Sequence, residues 1–290
     1  MKKIISLVLA AGLCLSVFAS DIITYAPLKG DVSSYMRTDY SIAARFGNYY
    51  RTPSVKYAHN LDADGNDIES TEINAKDVVL NTINSTYDVN GNLLSQTGSD
   101  ADGQLLWTTE NVYKKGLLAE TNEYNAKKDL IAKTIYTYSF NRLIDESSYD
   151  GDGALTWKTV YTYNDNDQLD AISQYFPTGA LSEQSVYEYD ENGVIKSITK
   201  TDSVSKVALQ DVFRYNAAGV LTEVTTYSED KQITRRVLLK YDANGNVSQV
   251  STYDVAQKFG SIVSELVNMS DFTYKYGSSD DEIVTVVSEK

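Results

Sequence analysis

The 290-residue chain carries 40 acidic and 26 basic side chains, a formal charge of −14. Nucleic acid and anionic lipid depend on a basic patch, so this balance disfavours both as partners. One histidine and one cysteine are too few for a His-based triad, a multi-His metal site or a disulfide framework.

Met1-Lys2-Lys3, the apolar run from Ile4 to Phe18 and the small-residue exit at Ala19 have the layout of a secretory signal peptide spanning residues 1–19. The mature protein is therefore expected in the periplasm or outside the cell. Loss of Lys2 and Lys3 takes the charge from −14 to −14 − 2 = −16. Cys14 opens an alternative, a lipoprotein acylated at that residue, which would be the only route to a membrane. Against it, Leu13 stands where a small residue is wanted, and the apolar run continues to Phe18. Cleavage after Ala19 leaves no cysteine, and so no thiolate site or thiol nucleophile.

Residues 20–53 are rich in tyrosine (Tyr25, Tyr35, Tyr40, Tyr49, Tyr50), interrupted by Pro27, Gly30, Gly47 and Pro53, and without a period. They read as an N-terminal cap, with a short helix around Tyr40 to Phe46, because terminal units must shield an otherwise open edge.

Residues 54–254 repeat. Tyr189-Asp190-Glu191-Asn192-Gly193-Val194-Ile195 has near copies at Tyr87-Asp88-Val89-Asn90-Gly91-Asn92-Leu93 and Tyr241-Asp242-Ala243-Asn244-Gly245-Asn246-Val247. Anchors before each turn run Leu61, Ile73, Tyr87, Ser99, Tyr113, Tyr124, Tyr138, Tyr149, Tyr163, Tyr175, Tyr189, Thr201, Tyr215, Tyr227, Tyr241 and Tyr253. Their spacing alternates between 11 or 12 and 14, a repeat of 25 or 26 residues made of a shorter and a longer half. Each half has a turn and then eight to ten residues rich in Thr, Val, Ile, Leu and Tyr, as a strand requires. Asp or Asn opens the turn by accepting a backbone N–H, and Gly supplies the positive φ that closes it with a bulge. Connections this short join only antiparallel neighbours, so the expected fold is all-β: a meander of about sixteen strands in one elongated, twisted or coiled sheet. The anchoring Tyr and the aliphatic residue that starts the next strand should pair across each turn. The 23 Tyr against 7 Phe suit rings half buried with the hydroxyl wet.

Tyr-Asp-x-Asn-Gly-x-Leu, recurring with Asp-x-Asp-Gly half-turns, resembles the YD repeats of the RHS family over roughly Ser54 to Asp254, and more weakly the hairpin repeats of MORN type. The resemblance implies continuous β-sheet that spirals around a cavity or links modules, with a structural and not a catalytic role. Residues 255–290 read as the other cap: an insertion from Val255 to Met269, then strands at Phe272–Tyr276 and Glu282–Val287.

Chemistry-bearing residues are sparse. His59 lies before a turn and reads as an edge residue. No Gly-x-Ser-x-Gly elbow or Ser-x-x-Lys motif is present, so the chain is read as not an enzyme. A glycosidase working with acidic residues alone would need two carboxylates about 5 to 10 Å apart in a cleft, a pair the sequence does not select. Asp62, Asp64, Asn66 and Asp67 alternate hard oxygen ligands in a tight loop and make a weak calcium candidate. Their Asp-x-Asp-Gly core recurs at 100–103 and 150–153 as an ordinary turn. Trp107 and Trp157 occupy equivalent repeat positions and, with Tyr136 and Tyr161, form a candidate aromatic ligand-binding face or fill the concave side of a curved sheet. The expected function is an exported, non-enzymatic protein that presents an extended surface to a protein or glycan. The alternative is a purely structural cell-envelope element.

Overall fold

The computed structural model describes residues 26–45, 47–258 and 260–277. The signal segment, Cys14 and the expected strand at Glu282–Val287 lie outside them. The elements are all strands: β1 (Val32–Arg45), β2 (Asn48–Leu61), β3 (Asp67–Asn74), β4 (Val79–Tyr87), β5 (Leu93–Asp100), β6 (Leu105–Lys114), β7 (Leu117–Asn125), β8 (Leu130–Ser139) and β9 (Arg142–Asp150). The second half continues with β10 (Leu155–Tyr163), β11 (Leu169–Tyr175), β12 (Leu181–Tyr189), β13 (Ile195–Asp202), β14 (Ala208–Tyr215), β15 (Leu221–Ser228), β16 (Ile233–Tyr241), β17 (Val247–Lys258) and β18 (Ser261–Tyr276).

Each strand pairs antiparallel with the next, and β1 pairs with β18 from Val32↔Tyr276 to Ser41↔Asn268. The sheet is therefore an 18-stranded closed barrel, and the expected elongated or coiled sheet of about sixteen strands is corrected. The two added strands come from the flanks. The segment expected to hold a helix around Tyr40 to Phe46 is strand through Arg45, and the presumed insertion from Val255 is a strand hairpin. Both flanks shield an edge by pairing with each other, which removes the edge altogether.

The turns follow the chemistry expected of them. Asp190 Oδ1 accepts the N–H groups of Asn192 and Val194, both at 2.9 Å, and Gly193 sits at φ 76°. Gly193 N–H donates to Asp190 O at 3.0 Å and Asp190 N–H to Val194 O at 2.8 Å, closing the loop. All the anchors fall within a residue of a strand end except Tyr253, which lies inside β17 because no turn residues follow it. Tyr87↔Leu93, Tyr163↔Leu169, Tyr189↔Ile195, Tyr215↔Leu221 and Tyr241↔Val247 are paired as expected, each beside a bulge.

These tyrosines line one rim of the barrel, here called the first rim. Each also reaches sideways: Tyr189 Oη donates to Leu169 O at 2.7 Å, Tyr163 to Leu143 O at 2.7 Å, Tyr215 to Ile195 O at 3.0 Å and Tyr87 to Asp67 O at 2.9 Å. At a bulge the strand-start carbonyl leaves the regular ladder, and the hydroxyl satisfies it. The segment from Ala26 to Asp31 lies over this rim. It is held by Asn246, whose Oδ1 accepts from Lys29 N at 2.7 Å and whose Nδ2 donates to Lys29 O at 2.9 Å.

Pairing and period two divide every strand into an inner and an outer set. The inner set of β13–β18 holds the apolar core, with Val224, Val237 and Val250 each 1% exposed beside Ile198, Phe213, Leu239 and Phe272. Outer aliphatics stay in water: Leu106 is 47% and Ile131 46% exposed. The rest of the outer wall is Ser, Thr, neutral amides and charge, with Tyr124, Tyr149 and Tyr175 near the second rim. Lys133 and Lys114 bracket Glu120 at 2.7 and 3.2 Å, Lys158 meets Asp145 at 2.6 Å, and Arg236 meets Glu223 at 2.9 Å. A barrel that crosses a bilayer needs an outward apolar band about 25 Å tall. Charged pairs at mid-height interrupt any such band here, so this outer wall is built for water.

Candidate ligand-binding wall inside the barrel

Eight strands make a barrel whose interior side chains just fill, and width grows with strand number, so a ring of eighteen can enclose space beyond what its own side chains fill. The inner wall of β3–β12 is accordingly half buried rather than sealed, in contrast to the core lining β13–β18.

Register places Trp107, Tyr136, Trp157 and Tyr161 all on the inner face. Trp107 on β6 pairs with Gly98 on β5 and lies over it, because the glycine has no side chain to hold the indole off the sheet. Trp157 on β10 meets the Phe176 ring edge-on, with centroids 5.5 Å apart at 88°, and its Nε1 is buried without a hydrogen-bond partner. Trp107 and Trp157 are not one platform, since β6 and β10 are four strand spacings apart, roughly 19 Å around the wall.

Tyr136 and Tyr161 do come together, around Glu146. Tyr136 on β8 pairs directly with Glu146 on β9, and Tyr161 on β10 brings its hydroxyl towards the Glu146 carboxyl. Burial holds the Glu146 carboxyl above the ordinary carboxylate range, against the opposing pull of the Tyr161 hydroxyl. Burial likewise raises Tyr136 to about 12 and Tyr161 well above its ordinary value. On the far side of Tyr136, Thr121 Oγ1 lies 3.3 Å from its hydroxyl and donates to Asn111 Oδ1 at 2.7 Å. A polar relay thus runs along the wall from β6 to β10: Asn111, Thr121, Tyr136, Glu146, Tyr161.

Sequence reasoning missed Glu146, Thr121, Asn111 and Phe176. Asp145-Glu146-Ser147-Ser148 is polar on both faces, and only pairing shows that Glu146 turns inward while Asp145 turns outward to Lys158.

The calcium candidates are placed differently. Asp62 Oδ1 accepts from Asp64 N and Asn66 N, both at 2.9 Å, and its Oδ2 accepts from Asn66 Nδ2 at 2.9 Å. Asp67 Oδ2 lies 2.7 Å from His59 Nδ1, and His59 stacks on Tyr35 with centroids 4.3 Å apart. The Asp62 oxygens are occupied in shaping the turn. Among the described residues no cluster of three His, Cys, Asp or Glu side chains could hold a metal ion.

No protein-family profile matches the chain, and no curated protein sequence does. Among solved structures it is similar to a porin-like protein from Bacteroides uniformis, at 10% identity and a TM-score of 0.47, over 86% of this chain and 98% of that one. A porin-like protein from Bacteroides vulgatus matches at 12% identity and a TM-score of 0.31, over 68% and 94% of the two chains. The Tc holotoxin pore of Photorhabdus luminescens matches at 14% identity and a TM-score of 0.28, over 78% of this chain and 16% of that one.

Proposed function

We propose that this chain is an exported, non-enzymatic binding barrel that holds a glycan against the inner wall between β6 and β12. The observation that carries this reading is the alternation, on that wall, of flat rings with hydrogen-bonding groups: Trp107, Tyr136 and Tyr161 interleaved with Asn111, Thr121 and Glu146. Sugar rings offer an apolar face for stacking and hydroxyls for such groups, and Trp and Tyr give large contact area with little entropy to lose. The open extended surface expected earlier is replaced by the inside of a ring. The charged outer wall supports a soluble place in the periplasm or outside the cell, consistent with the signal-like first residues.

Titration of tryptophan fluorescence with neutral oligosaccharides of increasing length tests the reading. Saturable quenching that weakens in Trp107→Ala and in Tyr161→Ala supports it. A folded protein that binds none of them, and instead self-associates, would return it to a structural role in the envelope.

A further inference from the structure

The charges of the inner face are unevenly distributed. On β13–β18 and β1 each inner base stands by a carboxylate: Lys200 with Asp211 at 3.4 Å, Arg235 with Asp254 at 3.6 Å and Arg37 with Asp39 at 3.2 Å. The inner positions of β3–β12 carry Glu72, Glu123, Glu146 and Glu183 and, between the rims, no Lys or Arg. The bases of those strands point the other way. Lys133 and Lys158 belong to the outer wall with Glu120 and Asp145, and Arg142 sits at the first rim with Asp167. Glu123 and Glu146, with no base on their own or adjoining strands' inner faces, thus share a wall with Trp107, Tyr136, Trp157 and Tyr161, whereas Glu183 at the boundary lies diagonal to Lys200.

We infer that the ligand of this wall carries positive charge, and that the glycan it takes is an amine-bearing one, a chain of amino sugars with free ammonium groups. The inference rests on the binding reading above and sharpens it. A half-buried carboxylate without a counter-ion is unfavourable in the empty barrel, and an incoming ammonium relieves it. Tyr136 and Tyr161 stand on either side of Glu146, so an ammonium at that carboxylate also meets their hydroxyl oxygens. The overall charge of −14 draws cations towards the barrel from a distance.

Two hexamers of equal length test this: the β-1,4 hexamer of glucosamine and its fully N-acetylated, neutral counterpart. Each is titrated calorimetrically into the full-length mature protein at about pH 6, on the acidic side of neutrality so that most of the free amines are charged. The charged hexamer is expected to bind about tenfold or more tightly, which is the scale of one hydrogen bond to a charged group. Its advantage should shrink in high salt. Glu146→Gln combined with Glu123→Gln should abolish the preference for the charged hexamer. Glu183→Lys, on a half-exposed side chain that is easier to replace, should reverse it. Equal binding of the two hexamers, or tighter binding of the neutral one, overturns the charge assignment and leaves the glycan reading standing. Binding of neither overturns both.

Discussion

Gly98 and Trp107 provide the sharpest test of how the inner wall is assembled. A methyl group added at Gly98 would lie 2.3 Å from Cε2 and Nε1 of Trp107 and 2.7 Å from its Cζ2. Carbon atoms rest about 3.5 to 4.0 Å apart, so in Gly98→Ala the indole must lift by more than an ångström or the strands must part. The backbone at Gly98 does not need glycine's left-handed freedom, since it is not among the positive-φ residues. The penalty is therefore steric alone. Overpacking of this kind costs about 1 to 3 kcal/mol, and at about 2 to 4 °C per kcal/mol the melting point should fall by roughly 2 to 12 °C. In a Trp157→Phe background the remaining tryptophan reports its own displacement, and its emission should shift to the red as the ring enters water. In Trp107→Ala the clash is gone, so adding Gly98→Ala should cost little. The double-mutant cycle should then show a coupling of about 1 to 3 kcal/mol. Unchanged melting and an unchanged spectrum for Gly98→Ala would mean that the indole does not lie on the glycine, and the geometry of the wall would have to be redrawn.

Four further outcomes are expected. Tyr189→Phe removes the bond to the Leu169 carbonyl and should cost about 0.5 to 1.5 kcal/mol in urea unfolding, whereas an unaffected midpoint would show that water satisfies that carbonyl equally well. Gly193→Val forces a β-branched residue to φ 76° and should lower the melting point more than the same change at a β-compatible site; equal effects would refute the bulged turn. Asp88, Asp190 and Asp202 are held below the ordinary carboxylate value of 3.8 chiefly by backbone N–H groups of Asn92, Val194 and Ser205. A lowered folded value means stability that is full above 3.8 and lost as pH falls through the folded values. Replacing these residues with Asn should flatten the acid limb of a melting-point-against-pH curve. Glu146 has the opposite sign, a raised value, so its ionisation opposes folding as pH rises through that value; Glu146→Gln should raise the neutral-pH melting point and leave the melting point below pH 4.5 unchanged.

Much of the architecture could be read from residues that act locally. Asp190, Asn192 and Gly193 form their turn within five residues, and Tyr189 meets Ile195 across it, so the repeat period located nearly every strand end. Closure was not local. Val32 and Tyr276 meet across most of the chain, and neither segment carries the turn motif that marks the repeat. The same limit applied to the candidate wall. Trp107 and Trp157 stand out in sequence because the repeat aligns them, yet their separation depends on how far the sheet curves. Glu146 could not be assigned a face until Tyr136 and Thr159 were seen opposite it. Tyr253 misled for the converse reason: an anchor without a turn after it, it is close to where β17 runs on past β16 while staying paired with β18.

The repeat has a numerical consequence for the ring. Each unit of 26 residues or so contributes one outgoing and one returning strand, about 9.5 Å of circumference. A chain that gains or loses whole units keeps an even strand number, so its first and last strands still run in opposite directions and the antiparallel seam still closes. Gain or loss of half a unit would bring β18 alongside β1 in the wrong direction and leave the seam open. The bore can therefore change by duplication or deletion in steps of one hairpin, and each step leaves every other joint as it was.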